Sequence, residues 1–368
     1  MNIHSIHIRV ITAPLKKPFE TALETITKRE AIIVEVRDKD GLSGWGEVVA
    51  FSSPWYTEET IQTCYMVLKE YLIPALCKTT MKHPSDVQLF FSRIRGNHMA
   101  KSGLEAAVWD LYSKQINIPL HKLFGGTREE IETGVVIASH SLELALSQIE
   151  SYKQDGYKRY KVKIHPQTAV EFVGHIRECY PNLPLMVDAN SAFSLEEVDI
   201  LKKLDSFQLM MIEQPLEHDD LLNHRQLQKQ LSTPICLDES ITSFQMAKNA
   251  VVLESCQIVT LKMGRVGGWT QALNIHQYCF ERNIPIWCGG MIEFGISRAH
   301  NIALASLEGF TLPGDISSSD RYWEEDIIEP LIKVKEGKIP LSSKPGIGYE
   351  VSYVALRNLT IHEENFRI

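Results

Sequence analysis

Between Gly134 and Asp315 the chain repeats itself. Eight short apolar runs, "GVVIAS", "YKVKI", "LPLMVDAN", "LMMIEQP", "TPICLDES", "CQIVTLK", "IPIWCGG" and "FTLPGD", each give way to polar or charged residues at their C-terminal ends. Markers at those ends (Ser139, Lys163, Asp188, Glu213, Asp238, Lys262, Gly289 and Asp315) are 24, 25, 25, 25, 24, 27 and 26 residues apart. The stretches between them, such as "SLEEVDILKKLD", carry apolar residues at helical spacing, so each period reads as one βα unit. Parallel strands joined by helices are buried on both faces, and eight strands is the number that closes. The expected fold is therefore α/β: a (β/α)8-type barrel near the short end of the usual length. Its last helix is weak, which points to the (β/α)7β form of a modified TIM barrel.

The flanks follow other periods. Residues 1 to about 60 alternate apolar and polar ("IHSIHIRVI", "EAIIVEVRD") around the turn "KDGLSG", as in an antiparallel meander. From Thr57 to Phe124 the period becomes helical ("SGLEAAVWDLYSKQ") and stops at the pair Gly125-Gly126. After Arg321 short strand-like runs return. The expected organisation is an α+β N-terminal capping domain over 1–125, a catalytic barrel over 126–320, and a C-terminal segment, 321–368, that packs back on the cap.

Composition narrows the partners. The 38 basic and 46 acidic side chains are interspersed and give a net charge of −8. With no basic run or arm, this argues against nucleic acid and against an anionic membrane surface. The N-terminus lacks an apolar leader, and no apolar run approaches the length of a membrane span, so a cytoplasmic location is expected. Seven cysteines without a C-x-x-C pair signal neither a disulfide framework nor a zinc cluster. They read as reduced and structural.

In barrels of this kind the chemistry sits at the C-terminal ends of the strands. There the repeats place Lys161 and Lys163, then Asp188, Glu213, Asp238 and Lys262. Three acids on consecutive strands converge on one mouth, where each pair repels by roughly 4 kcal/mol at an effective dielectric of 20. Either protonation or a bound cation must relieve them. Oxygen ligands without Cys or His select a hard ion: Mg²⁺ first, Mn²⁺ as a substitute, Ca²⁺ after both. Lys161 and Lys163, two apart on a strand, point to the same side, the barrel interior, and Lys262 enters from the far side. Beside a divalent ion and other cations these amines are expected to have lowered pKa values, which makes a neutral lysine available as a base. The reaction class this describes is abstraction of a proton next to a carboxylate, on a small-molecule substrate.

Each residue alone has a plainer reading. An Asp after a strand is ordinarily the N-cap of the next helix, and a Lys at a strand end is ordinarily solvated. The joint occurrence of six such residues at register-matched ends of five strands favours the catalytic reading over caps and surface charge, and bases on two faces disfavour a barrel that only binds. "GRVGGW" after Lys262 reads as a strand-to-helix turn before it reads as a phosphate cradle, and His165, followed by Pro166, as a loop residue. The exposed amides of "WCGGM" suit a substrate carboxylate, though its glycines equally suit close packing.

K-x-K on the second strand, acids on the third to fifth and Lys on the sixth resemble the enolase superfamily, in its muconate-lactonizing subgroup. More closely, "LKKPFETALETITKRE", "GWGEVVAFSSPWYTEET", "MMIEQPL", "ICLDES", "GRVGG" and "WCGGMIEFGISRAHNIALASL" resemble the branch shared by o-succinylbenzoate synthases of the Bacillus type and N-succinylamino acid racemases. The similarity runs over nearly the whole chain. It implies that Asp188, Glu213 and Asp238 bind Mg²⁺ and that Lys163 and Lys262 flank the substrate α-carbon, with Lys161 supporting Lys163. It also implies Mg²⁺-dependent dehydration of a cyclohexadiene carboxylate to o-succinylbenzoate through an enediolate, in menaquinone synthesis. The alternative is racemisation, in which the two lysines alternate as base and acid. Loops near Phe19 and Phe51 would cap the mouth, Gly289, Gly290, Met291 and Ile292 would meet the succinyl tail, and Asn190, Glu239 and Arg265 match supporting positions. Phe294, where many relatives carry a small residue, would narrow the pocket. Family habit implies a homo-oligomer.

Overall fold

The computed structural model describes residues 3–20, 24–77, 81–139 and 141–368. Three antiparallel strands, Ile3–Glu20, Thr25–Asp38 and Ser43–Val48, form the cap sheet, and the last strand of the chain, Thr360–Arg367, pairs with the first. Their alternation does what it should: Ile6, Ile8, Ile32, Val34 and Val36 are fully buried. The turn between the second and third strands is set by Asp38, whose carboxylate accepts the backbone N–H groups of Asp40 (3.0 Å) and Leu42 (2.9 Å). The helix His98–Gln115 lies on this sheet so closely that a Cβ at Gly46 would stand 2.0 Å from Gly103 O. Only glycine fits there.

Seven parallel strands curl into the second unit in chain order: Gly134–Ile137, Arg159–Lys163, Leu185–Asp188, Ile212–Glu213, Ile235–Leu237, Ile258–Leu261 and Ile286–Cys288. Between them lie the amphipathic helices that the repeat required. The eighth apolar run forms no regular strand. It closes the curl through single bridges, Ile286 to Phe310 and Thr133 to Gly314, and through bonds from Gly134 N to Gly314 O (2.7 Å) and Asp315 N to Cys288 O (2.9 Å). Pro313, which has no N–H, interrupts any ladder there.

Register is what positions the site. Lys163 pairs with Asp188 and Asp188 with Glu213, at the same height across three strands. Glu213 then pairs with Cys236, which leaves Asp238 two residues further along and on the same inward face. Below these ends the barrel is plugged by Met186, Met211, Cys236, Ile258 and Trp287. From the cap, Glu47 accepts the N–H groups of Phe294 and Ser297, both at 2.8 Å, and so covers the N-terminus of the barrel helix Gly295–Ala305. Among the described residues no helix is long and apolar enough to cross a membrane, and all seven cysteines are unpaired.

Candidate active site

The lysines at the strand ends are not solvated: Lys161, Lys163 and Lys262 are 4%, 8% and 7% exposed. The acids are not caps either. The helices that follow them are capped by Ser194, Asp220 and Ser243, which accept the N–H groups of Glu196, Asn223 and Met246. Asp188, Glu213 and Asp238 are each at most 1% exposed and face the barrel interior.

Lys163 Nζ donates to Asp188 Oδ2 at 2.7 Å and to Asn190 Oδ1 at 2.6 Å, and Asn190 in turn donates to Glu239 Oε1 at 2.8 Å. Lys161 Nζ reaches Glu213 Oε2 (3.0 Å), Asp188 Oδ2 (3.2 Å) and Asp315 Oδ2 (2.6 Å). On the opposite side, Lys262 Nζ donates to Asp238 Oδ2 and to Tyr56 Oη, both at 2.8 Å. Arg265 holds the other Asp238 oxygen and the same Tyr56 hydroxyl, each at 2.5 Å.

These contacts set the electrostatics. Burial opposes the charge on Lys161, but Asp315, Glu213 and Asp188 outweigh it and hold the ammonium well above its usual range. Lys262 is likewise raised: burial is overcome by Asp238 and the Tyr56 oxygen. For Lys161 and Lys262 the lowering expected from sequence is thus not produced by the chain's own groups, because each of the two has a buried carboxylate against it. Asp238, despite burial, is held below the carboxylate range by Arg265 and Lys262. Glu213 goes the other way: burial and the neighbouring Asp188 push it well up, and its Oε1 has no partner. A fully buried carboxylate with an orphaned oxygen, beside two further acids and with the neighbouring Cys236 thiol engaged by Thr260 Oγ1 (3.1 Å) and Trp287 Nε1 (3.3 Å), fits a hard divalent cation. Among the described residues no three His, Cys, Asp or Glu side chains already stand around an ion-sized space; amines lie against these acids instead.

Above the acids opens a cavity of about 670 Å³, its mouth included. Of the substrate contacts expected from sequence, Phe19, Phe51, Gly290, Met291 and Ile292 line it, as do Lys161, Lys163, Asp188, Asn190, Asp238 and Lys262. Glu213, Glu239 and Arg265 lie behind the wall. So does Gly289, whose backbone passes the Lys262 side chain so closely that a Cβ would meet Lys262 Cγ and Cε at 2.7 Å. Phe294 does not narrow the cavity: its ring is fully buried and stacks on Trp323 with centroids 4.1 Å apart. The turn at Gly267-Gly268 is no phosphate cradle, since Glu105 Oε2 would lie 1.9 Å from a Cβ on Gly268. Beside Phe19, residues 21–23 fall outside the described residues.

Tyr56, Trp55, Tyr322 and Asp315 also line the cavity and have no role in the sequence reading. Asp315 marks a period end there, and the pair Trp55-Tyr56 lies in a segment noted only for its resemblance. Arg29 holds the cap loop in place, donating to Val49 O and Ala50 O at 2.5 Å with its guanidinium 4.3 Å from the Phe51 ring centroid.

Two families match the chain: "Mandelate racemase / muconate lactonizing enzyme, N-terminal domain" over residues 5–125 and "Enolase C-terminal domain-like" over 145–355. An o-succinylbenzoate synthase of Bacillus subtilis is 51% identical, over 97% of this chain and 96% of that protein. An N-succinylamino acid racemase of Thermus thermophilus is 40% identical over 98% of each. A solved structure of an enolase superfamily member from Listeria innocua superposes with a TM-score of 0.96 at 40% identity, covering 100% of this chain and 99% of that one.

Proposed function

Since the chain belongs to the enolase superfamily, in its mandelate racemase and muconate lactonizing enzyme family, we propose that its barrel mouth performs the o-succinylbenzoate synthase reaction. The substrate is 2-succinyl-6-hydroxy-2,4-cyclohexadiene-1-carboxylate, and the products are o-succinylbenzoate and water, a step in menaquinone synthesis. The observation that carries this reading is the pair of buried amines, Lys163 and Lys262, at the C-terminal ends of the second and sixth barrel strands, facing one cavity that Asp188 and Asp238 line and Glu213 lies behind.

Asp188, Glu213 and Asp238 would hold a divalent cation, Mg²⁺ or Mn²⁺, which when bound supplies positive charge to a substrate carboxylate and so acidifies its α-C–H bond. Lys163, in neutral form, takes the α-proton. The ammonium it becomes stays on the same face and returns that proton to the adjacent hydroxyl, which leaves as water while the ring becomes aromatic. One residue therefore serves as base and then acid. Lys262 keeps its proton and offers its charge to the carboxylate as negative charge develops. Asn190, tied to Glu239, orients Lys163, and Arg265 with Tyr56 orients Lys262. The rings of Phe19, Phe51 and Trp55 exclude water from the mouth.

N-succinylamino acid racemisation is a second activity of the same site. What favours it is Lys262, which reaches the cavity from the face opposite Lys163 and can return a proton from that side. Assaying the purified protein with both substrates tests the order: dehydration is expected to have the higher kcat/KM, and a racemase value larger by orders of magnitude would reverse the two.

A further inference from the structure

Asp315 is a buried charge that the chemistry above does not use. It stands on the segment that closes the barrel, its side chain 9% exposed. One carboxylate oxygen pairs with Arg159, and the other accepts from Lys161 Nζ at 2.6 Å. The two remaining acceptors of that ammonium, Glu213 at 3.0 Å and Asp188 at 3.2 Å, are both acids read here as cation ligands, and both contacts are longer. Arg159 is itself fixed, donating to Pro313 O at 2.9 Å and lying 4.5 Å from the Trp287 ring centroid, so Asp315 is anchored from below. An ammonium has three donors and no acceptor, and buried it must find counter-charge. Without Asp315, the carboxylates left to Lys161 among the described residues are Glu213 and Asp188.

We propose that Asp315 is a positioning residue that draws the Lys161 ammonium away from Asp188 and Glu213, keeping those carboxylates available to a divalent cation. This rests on the reading of the acids as cation ligands. The side chain that would otherwise compete for their oxygens is thereby given a partner of its own, on the segment that closes the barrel and outside the ligand set.

Calorimetric titration of Mg²⁺ into the full-length chain tests this. Asp315→Asn should bind Mg²⁺ at least about tenfold more weakly than the unaltered protein. Combining it with Lys161→Met should bring the affinity back to within about threefold, because competitor and counter-ion leave together. A purely structural Asp315 would leave the double variant as weak as the single one; that result, or an unchanged affinity in Asp315→Asn, overturns the proposal. Circular dichroism on the same samples reports whether each variant is folded, and if Asp315→Asn alone is not, the double variant decides by the same criterion. Glu213→Gln tests the underlying reading separately: if the unaltered protein does not bind Mg²⁺, or Glu213→Gln binds it as tightly, the ligand set is wrong and the proposal falls with it.

Discussion

At the scale of single residues, the site is a set of buried charges whose partners decide what each can do. Lys163 bonds to Asp188 and Asn190, Lys262 to Asp238 and Tyr56, so the two amines sit in different surroundings, as two different roles require. Lys163→Ala should abolish dehydration and racemisation alike, by about 10³-fold or more in kcat, with an unaltered circular dichroism spectrum because the hydrophobic core does not include this side chain. Lys262→Ala should abolish racemisation but leave a measurable residue of dehydration, since the proposed mechanism uses only its charge in the latter; equal losses in both assays would contradict the division of roles. Gly289→Ala should cut activity by about tenfold or more and lower the melting temperature as well, because the added methyl strikes both the Lys262 side chain as it enters the cavity and Cγ2 of the fully buried Thr260, at 2.7 and 2.8 Å. A normal rate in Gly289→Ala would mean that Lys262 need not hold its present course.

At the scale of elements, the strands bring the acids to one height and the cap holds the loop above them. Glu47, from the third cap strand, accepts two N–H groups at the start of the helix Gly295–Ala305, directly after the loop 290–293 that lines the cavity. Ile292 in that loop has a φ of 55°, a strained conformation for a β-branched residue that the surroundings must impose. Glu47→Ala leaves two buried donors without an acceptor and should cost about 1–3 kcal/mol of stability, read by denaturant unfolding. It should also raise KM more than it lowers kcat, because the loop it steadies lines the cavity and carries neither of the two amines. A fall in kcat alone would place Glu47 nearer the chemistry than its contacts do.

At the scale of the whole molecule, the C-terminal segment is bound into the cap, through the strand Thr360–Arg367 and through Tyr353, whose hydroxyl donates to Glu35 Oε1 at 2.7 Å. Glu35 is buried, which would raise its pKa, but hydrogen bonds from Tyr353, Ser43, Arg37 and Arg9 outweigh that and hold it at about 2. Its folded pKa lies below the unfolded one, so the stability it contributes is complete above about pH 5 and is lost as pH falls toward 2. Glu35→Gln should therefore destabilise the protein by about 1–3 kcal/mol at pH 7 and by progressively less on acidification; parallel unfolding curves across that range would disprove the linkage. The repeat of apolar runs, with Lys163, Asp188, Glu213, Asp238 and Lys262 at its period ends, already determines the barrel, the three acids and the two amines, because a closed parallel sheet brings equivalent strand ends together whatever the details of packing. What tertiary structure alone decided lies between repeats. The eighth run was legible as a period, but its failure to form a strand depends on where Pro313 meets its neighbours. Phe294 looked like part of the pocket until its ring was found on Trp323, and Gly289 faces Lys262 where a substrate contact was expected. Tyr56 and Asp315 reach the amines across long sequence separations, where no local pattern signals contact. The raised pKa values of Lys161 and Lys262 depend on the same contacts, since a side chain's pKa follows from which carboxylates lie within a few ångströms in space, and sequence spacing does not encode that distance.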